Sequence, residues 1–261
     1  MRAQTLGLLW LACLSAFAPA RAQDKVVEIT TRPGVTQRFV VIPAADAKAA
    51  VVLFAGGHGG LQFNDAGSAR WGNGNFMVRS ARLFASQGLT VAIIDTPSDR
   101  QSAPYLTGFR QTPEHAADVK AVIAWMKDST KLPVWLVGTS RGTQSVGAVA
   151  TALRSGGGPD GIVLTSTILS DGRSKPVPDM AMDTLKVPVL VVHHEQDACR
   201  LCLFRDMPKL MEKLAANPRK ELMTFRGGEN QGDPCEAMAY HGYNGLEQDV
   251  VSRIAAWINT K

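Results

Sequence analysis

Gly138-Thr139-Ser140-Arg141-Gly142 is the only G-x-S-x-G run in the chain. The apolar "VWLV" precedes it and a stretch rich in small residues, "TQSVGAVATAL", follows it. A serine on such a strand-to-helix turn is lifted out of the sheet, and glycines are needed where a Cβ would strike the neighbouring strand and helix. The helix N-terminus beneath it favours developing negative charge. That is the chemistry of a nucleophile for acyl transfer, which also needs a base, a group that orients the base, and donors for the oxyanion.

A second reactive stretch is "VVHHEQDACRLC", residues 191–202, with two histidines, two carboxyl groups and Cys199-x-x-Cys202 after an apolar run. Three chemistries compete for it: a thiol-disulfide motif at a strand-to-helix junction, a metal site, or a loop presenting the acid of a hydrolase triad.

The elements that must position these groups read as α/β. "VVEIT" and "QRFVVIP" form an opening antiparallel pair. Near-continuous apolar runs follow at 49–57, 89–95, 133–140, 160–168, 187–194 and 221–227, which suits strands buried on both faces of a mainly parallel sheet. Between them lie amphipathic stretches. The clearest helix runs from Pro113 to about Lys127, with Thr112 as N-cap and Val119, Val122, Ile123 and Met126 on one face. "LFRDMPKLMEKLAA" and "LEQDVVSRIAAWI" show the same period, and Pro208 kinks the former or marks its start.

With the serine turn in this context, the chain resembles the α/β-hydrolase superfamily over nearly all of residues 23–261, and is similar to compact bacterial secreted esterases of the dienelactone-hydrolase and carboxylesterase branches. The resemblance implies an α/β-hydrolase fold: a mostly parallel central sheet of about eight strands flanked by helices. The interval 169–186 is too short for a large cap domain. It also implies the order nucleophile, acid, histidine. Ser140 fills the first place. Asp197 stands where the acid belongs, in a spacing similar to "HGxxD" with His194 replacing the glycine; Glu195 and Asp171 are its competitors. Among the five histidines, His193 and His194 precede the acid. His115 falls in the first turn of a helix, as a solvated or capping residue, and His58 lies in the early glycine-rich loop. His241, in "MAYHGYNGLE", is left as the base. Oxyanion donors are expected from the N–H of Arg141 and from Gly57 or His58 in "FAGGHGG". Cys235 lies six residues before His241, so a bridge from Cys199 to Cys235 would tie the acid and histidine loops; Cys202 to Cys235 would serve similarly.

The expected walls of the site are 61–76, 96–110 and 227–243, with Phe63, Trp71, Tyr105, Phe109, Tyr240 and Tyr243 as candidate lining. No cofactor is expected. A zinc site from His193, His194, Asp197 and the cysteines is possible on residue type, but no metal-ligand spacing recurs elsewhere, and none is called for. The reading is therefore a serine hydrolase of small or polymeric carboxylic esters. An amidase or peptidase with the same triad, a thiol-disulfide oxidoreductase and a non-catalytic exported binding protein are the rivals.

The ends and the charge balance set the remaining bounds. Arg2, the apolar "LGLLWLACLSAFA" and the small residues before Gln23 read as a signal peptide over residues 1–22, its apolar core too short to span a bilayer. An exported, periplasmic or extracellular protein without a stable membrane anchor is expected. Setting residues 1–22 aside leaves 26 basic against 23 acidic side chains. That balance, with no basic run interleaved with aromatics, argues against a nucleic-acid partner. Residues 23–261 suit one α/β domain.

Overall fold

The computed structural model describes residues 23–260, so the expected signal peptide at 1–22 lies outside the described residues. Eight strands form one sheet in the order β1-β2-β4-β3-β5-β6-β7-β8. β1 (Lys25–Arg32) and β2 (Val35–Ile42) are the antiparallel pair expected, and β2 runs antiparallel to β4 (Leu89–Pro97). β4, β3 (Ala49–Phe54), β5 (Val134–Thr139), β6 (Gly161–Thr165), β7 (Val189–His194) and β8 (Lys220–Phe225) are parallel.

The continuous apolar runs have a direct explanation. Successive side chains of a strand point to opposite faces, and here both faces are covered. Val52 and Phe54 of β3 pack on the layer of α3 (Pro113–Thr130), α4 (Gly142–Ala152) and α5 (Met207–Lys213). Val51 and Leu53 face the layer of α1 (Phe76–Arg79), α2 (Ala81–Ser86) and α6 (Glu247–Asn259). Thr112 caps α3 by accepting from the His115 N–H at 3.2 Å. Pro208 sits in the first turn of α5, so it starts that helix and does not kink it.

His115 corrects the reading of a solvated residue. It is buried, edge-on to Phe54 and Phe109, and desolvation pushes its pKa down to about 3. It sits on the apolar face of α3, one turn before Val119, where the helix period places it in the core.

β4 and β5 lie on opposite sides of β3, so the chain reverses its direction of winding between the carboxyl ends of β3 and β5. Ligands of open α/β sheets bind at such a switch point. Between β6 and β7 the structure has two short 3-10 turns, Val177–Asp179 and Met182–Thr184, and no cap domain.

Candidate active site

A cavity of about 540 Å³ opens at the switch point, lined by residues 55–61, Gly72, Gly74–Phe76, Thr139–Arg141, Cys199, Leu201, Cys235–Ala237, His241 and Gly242. Ser140 lies between β5 and α4 with φ of 52°, a left-handed conformation that costs a non-glycine residue strain. Its flanking glycines are sterically required. A Cβ on Gly142 would lie 2.2 Å from the Phe54 carbonyl oxygen, and one on Gly138 would lie 2.6 Å from the Gly142 carbonyl oxygen. The Ser140 N–H donates to Thr165 at 3.0 Å and its carbonyl accepts from the Thr143 hydroxyl at 2.6 Å, which pins the turn.

Asp197 follows β7 and is buried. Its Oδ2 accepts from His241 Nδ1 at 2.8 Å and its Oδ1 from the Cys199 N–H at 2.9 Å. A proton on Nδ1 leaves Nε2 as the acceptor, and Nε2 is buried with no partner among the described residues. The acid's competitors are engaged elsewhere. Asp171 pairs with Arg141 at 2.7 Å and is hydrogen-bonded by Ser174 and the Arg173 N–H. Those partners outweigh its partial burial and hold its carboxyl at about 2. Glu195 pairs with Arg226 at the surface.

The disulfide joins Cys199 to Cys235, and Cys202 is a free, buried thiol. The two cysteines of the C-x-x-C are therefore not paired with each other, as a thiol-disulfide motif requires. The bridge places both its sulfur-bearing residues in the wall of the cavity.

Gly57 and His58 line the cavity together with Arg141. The loop that carries them is held from below by Arg110, a residue that no sequence motif marks. Its buried guanidinium donates to the carbonyl oxygens of Ala55 and Gly57, both at 3.1 Å, and to the Ser145 hydroxyl at 2.9 Å. Because a trans peptide points its C=O and N–H in opposite directions, fixing the Gly57 carbonyl on Arg110 turns the His58 N–H away from it. The His58 ring is exposed, stacked on Tyr105 at 4.4 Å, with Nδ1 accepting from the Gly60 N–H.

The histidine loop has its own supports. Ser166, just past β6, donates its hydroxyl to the His241 carbonyl at 2.6 Å. The Tyr243 hydroxyl accepts from the Ser166 N–H at 3.1 Å and donates to the Val192 carbonyl at 2.8 Å. No spacing rule announces Ser166 or Arg110, since each acts on backbone far away in sequence.

Of the expected walls, 61–76 contributes Leu61, Gly72 and Gly74–Phe76, and 227–243 contributes Cys235–Ala237, His241 and Gly242, whereas 96–110 is not part of the cavity lining. Leu106 and Arg110 hydrogen-bond to the back of the 55–58 loop, which places that segment behind it. None of the six aromatic candidates lines the cavity. Tyr243 is buried against Phe76 and Phe225, Tyr240 stacks on His194, and Phe63 and Phe109 are in the interior. Phe76 is the aromatic that does line it.

His193 and His194 are buried and do not line the cavity. Burial lowers the His193 pKa, its largest influence, against the pull of Asp197, and its Nε2 faces the Cys202 carbonyl at 2.6 Å. His194 donates Nε2–H to the Gly227 carbonyl at 2.9 Å and accepts from the Gln196 N–H at Nδ1.

No family model and no curated protein matches the chain. Its backbone is similar to solved structures. An esterase of Pyrococcus furiosus is 18% identical, with a TM-score of 0.62 and 90% of each chain covered. A dienelactone hydrolase of Anabaena variabilis is 15% identical, with a TM-score of 0.62 and coverage of 91% of this chain and 97% of the other. A serine hydrolase without lid from Xanthomonas campestris is 19% identical, with a TM-score of 0.56 and coverage of 88% and 95%. Sheet order, switch-point cavity and these likenesses agree that the chain has the α/β-hydrolase fold.

Proposed function

We propose that the protein is an exported serine hydrolase that cleaves carboxylic esters. The observation that carries the reading is the buried Asp197–His241 pair: Nε2 of this histidine has no partner among the described residues, and His241 lines the same cavity as the strained Ser140. Ser140 Oγ attacks the acyl carbon as its proton passes to His241 Nε2. Asp197 keeps the proton on Nδ1 and stabilises the imidazolium. The N–H groups of Arg141 and, in the 55–60 loop, Gly57 or His58 receive the oxyanion; the Arg110 contacts favour His58. His241 then protonates the leaving alcohol, and water, activated by the same base, releases the acyl group.

The esterase and hydrolase names of the similar structures support ester cleavage. The Cys199–Cys235 bridge and the leader-like sequence at 1–22 support export, with the remainder acting as one domain. An uncapped cavity is compatible with small or polymeric esters.

The test is intact-mass analysis and peptide mapping after treatment with a fluorophosphonate. A single adduct on Ser140, absent in Ser140→Ala and strongly slowed in His241→Ala, is the expected result, with Ser140→Ala lowering ester turnover by about 10⁴ or more. A Ser140→Ala protein that keeps most of its activity, or an adduct elsewhere, overturns the assignment.

A further inference from the structure

The free thiol of Cys202 has no place in the proposed hydrolysis, yet it sits beside the proposed base. The sulfurs of Cys199 and Cys202 and a ring nitrogen of His241 all lie within 4.8 Å of one another, and all three residues are buried. Asp197 accepts from Nδ1 and Nε2 has no partner among the described residues, so an ion taking Nδ1 displaces the Asp197 contact and an ion taking Nε2 takes the lone pair of the proposed base. Two sulfurs and an imidazole are donors that zinc and similar divalent ions select. Around tetrahedral zinc, with Zn–S near 2.3 Å, neighbouring ligand atoms stand roughly 3.7 Å apart. A contraction of about 1 Å therefore converts the cluster into a coordinating triangle, with the fourth position open to water.

In the structure one donor is withheld, because the Cys199 sulfur is bonded to Cys235. We propose that Cys199, Cys202 and His241 form a latent site for a zinc-class divalent cation, closed while the disulfide stands and opened when a dithiol reduces it. The dithiol delivers two electrons and two protons to the Cys199–Cys235 bond and becomes a disulfide itself. Two thiols result, and metal binding then displaces the protons of Cys199 and Cys202. The Cys235 thiol, on the loop wall, is not needed as a ligand. The disulfide thereby does more than staple two loops: it keeps metal off the imidazole that the proposed hydrolysis uses. Metal binding itself does not depend on the hydrolase reading.

Cobalt(II) titration of the full-length chain tests this without any activity readout. Cys235→Ser leaves Cys199 and Cys202 as thiols; under argon it is expected to bind one equivalent of cobalt with sulfur-to-metal charge-transfer absorption, displaced by zinc. Adding Cys202→Ser removes one of three ligands and should weaken binding by about 100-fold or more. Cys13 is common to both variants and cancels in the comparison. Because Cys235→Ser loses a disulfide, the same titration is run on the wild-type protein, oxidised and then dithiol-reduced and desalted, with far-ultraviolet circular dichroism as the check on folding. Folded protein whose affinity is unchanged by reduction, or by Cys202→Ser, overturns the proposal. A Ser140→Ala background should give the same spectrum, so failure of the hydrolase reading and failure of the metal site are separately visible.

Discussion

Arg110 Nη2 donates to the carbonyl oxygen of Gly57 at 3.1 Å from beneath the loop that lines the cavity. No carboxylate among the described residues pairs with this guanidinium; burial, and next Arg141, push its pKa down to about 9, so it is charged at neutral pH. A cation is a stronger donor than a neutral group, and here its neighbours are the carbonyls of Ala55 and Gly57. Removing it with Arg110→Met leaves those oxygens unsatisfied, at a cost of about 1–3 kcal/mol of stability. If the His58 N–H serves the oxyanion, the looser loop should lower kcat by roughly 10- to 100-fold, below the 10²- to 10³-fold of losing a donor outright, with KM nearly unchanged. Steady-state kinetics beside thermal unfolding measure both, and an unchanged kcat would show that the loop holds its shape without Arg110.

Asp197 and Asp171 should separate cleanly on substitution. Asp197→Asn removes the acceptor that fixes His241 Nδ1–H, and a loss near 10⁴-fold in kcat is expected. Asp171→Asn deprives Arg141 of its partner but touches neither Asp197 nor His241 by hydrogen bond, so turnover should fall less than about 10-fold. The reverse outcome would move the acid to the loop after β6.

How far the sequence foretold this molecule follows from which interactions are local. The strands, the capped start of α3 at Thr112 and the serine turn are written in short-range patterns, and each stands where those patterns place it. Asp197 and His241 are legible through chain order once the turn is recognised. The pairing of Cys199 and not Cys202 with Cys235 depends on which sulfur the acid loop turns outward, and spacing does not encode that. Arg110, Ser166 and Tyr243 act on backbone groups up to 77 residues away, with side chains that any surface loop also carries. The six candidate aromatics sit away from the cavity for a related reason. A Tyr or Phe in a loop beside the site satisfies its apolar ring equally well by turning inward, as Tyr243 does.

Ser166 and Tyr243 should behave as supports of His241 and not as chemical groups. Ser166→Ala deletes the hydrogen bond to the His241 carbonyl, and about 1 kcal/mol of stability with a few-fold loss in kcat is expected. Tyr243→Phe deletes two hydrogen bonds at once, to the Ser166 N–H and to the Val192 carbonyl. These two groups still pair with each other at 3.1 Å, so the loss is the net value of two bonds, about 1–3 kcal/mol, and exceeds that of Ser166→Ala. Denaturant midpoints for both variants check the order, and a harmless Tyr243→Phe would contradict it.

His115 gives the protein a predictable acid sensitivity. Its pKa, lowered to about 3 by burial and then by Arg110 and Arg32, lies below that of the unfolded chain near 6.5. Between these values the unfolded state binds a proton that the native state refuses, so stability falls as pH falls through this window. This group alone contributes a slope of up to about 1.4 kcal/mol per pH unit. His115→Phe or His115→Leu, in the pocket formed with Phe54 and Phe109, should flatten unfolding free energy against pH between 6 and 4. An unaltered slope in both variants would mean that the histidine takes up its proton in the folded state.

The Cys199–Cys235 bridge spans 36 residues, from the acid loop to the histidine loop. In the chain-entropy account, closing a loop of that length stabilises the fold by roughly 3 to 4 kcal/mol. Both ends also line the cavity, and Cys199 N–H holds Asp197 Oδ1 at 2.9 Å. Cys235→Ser should therefore lower the thermal midpoint by several degrees, about 2–4 °C for each kcal/mol in a chain of this size. It should lower kcat only modestly under metal-free conditions, because Asp197, His241 and Ser140 keep their own supports. A large loss of turnover with little loss of stability would instead assign the bridge to holding the catalytic geometry.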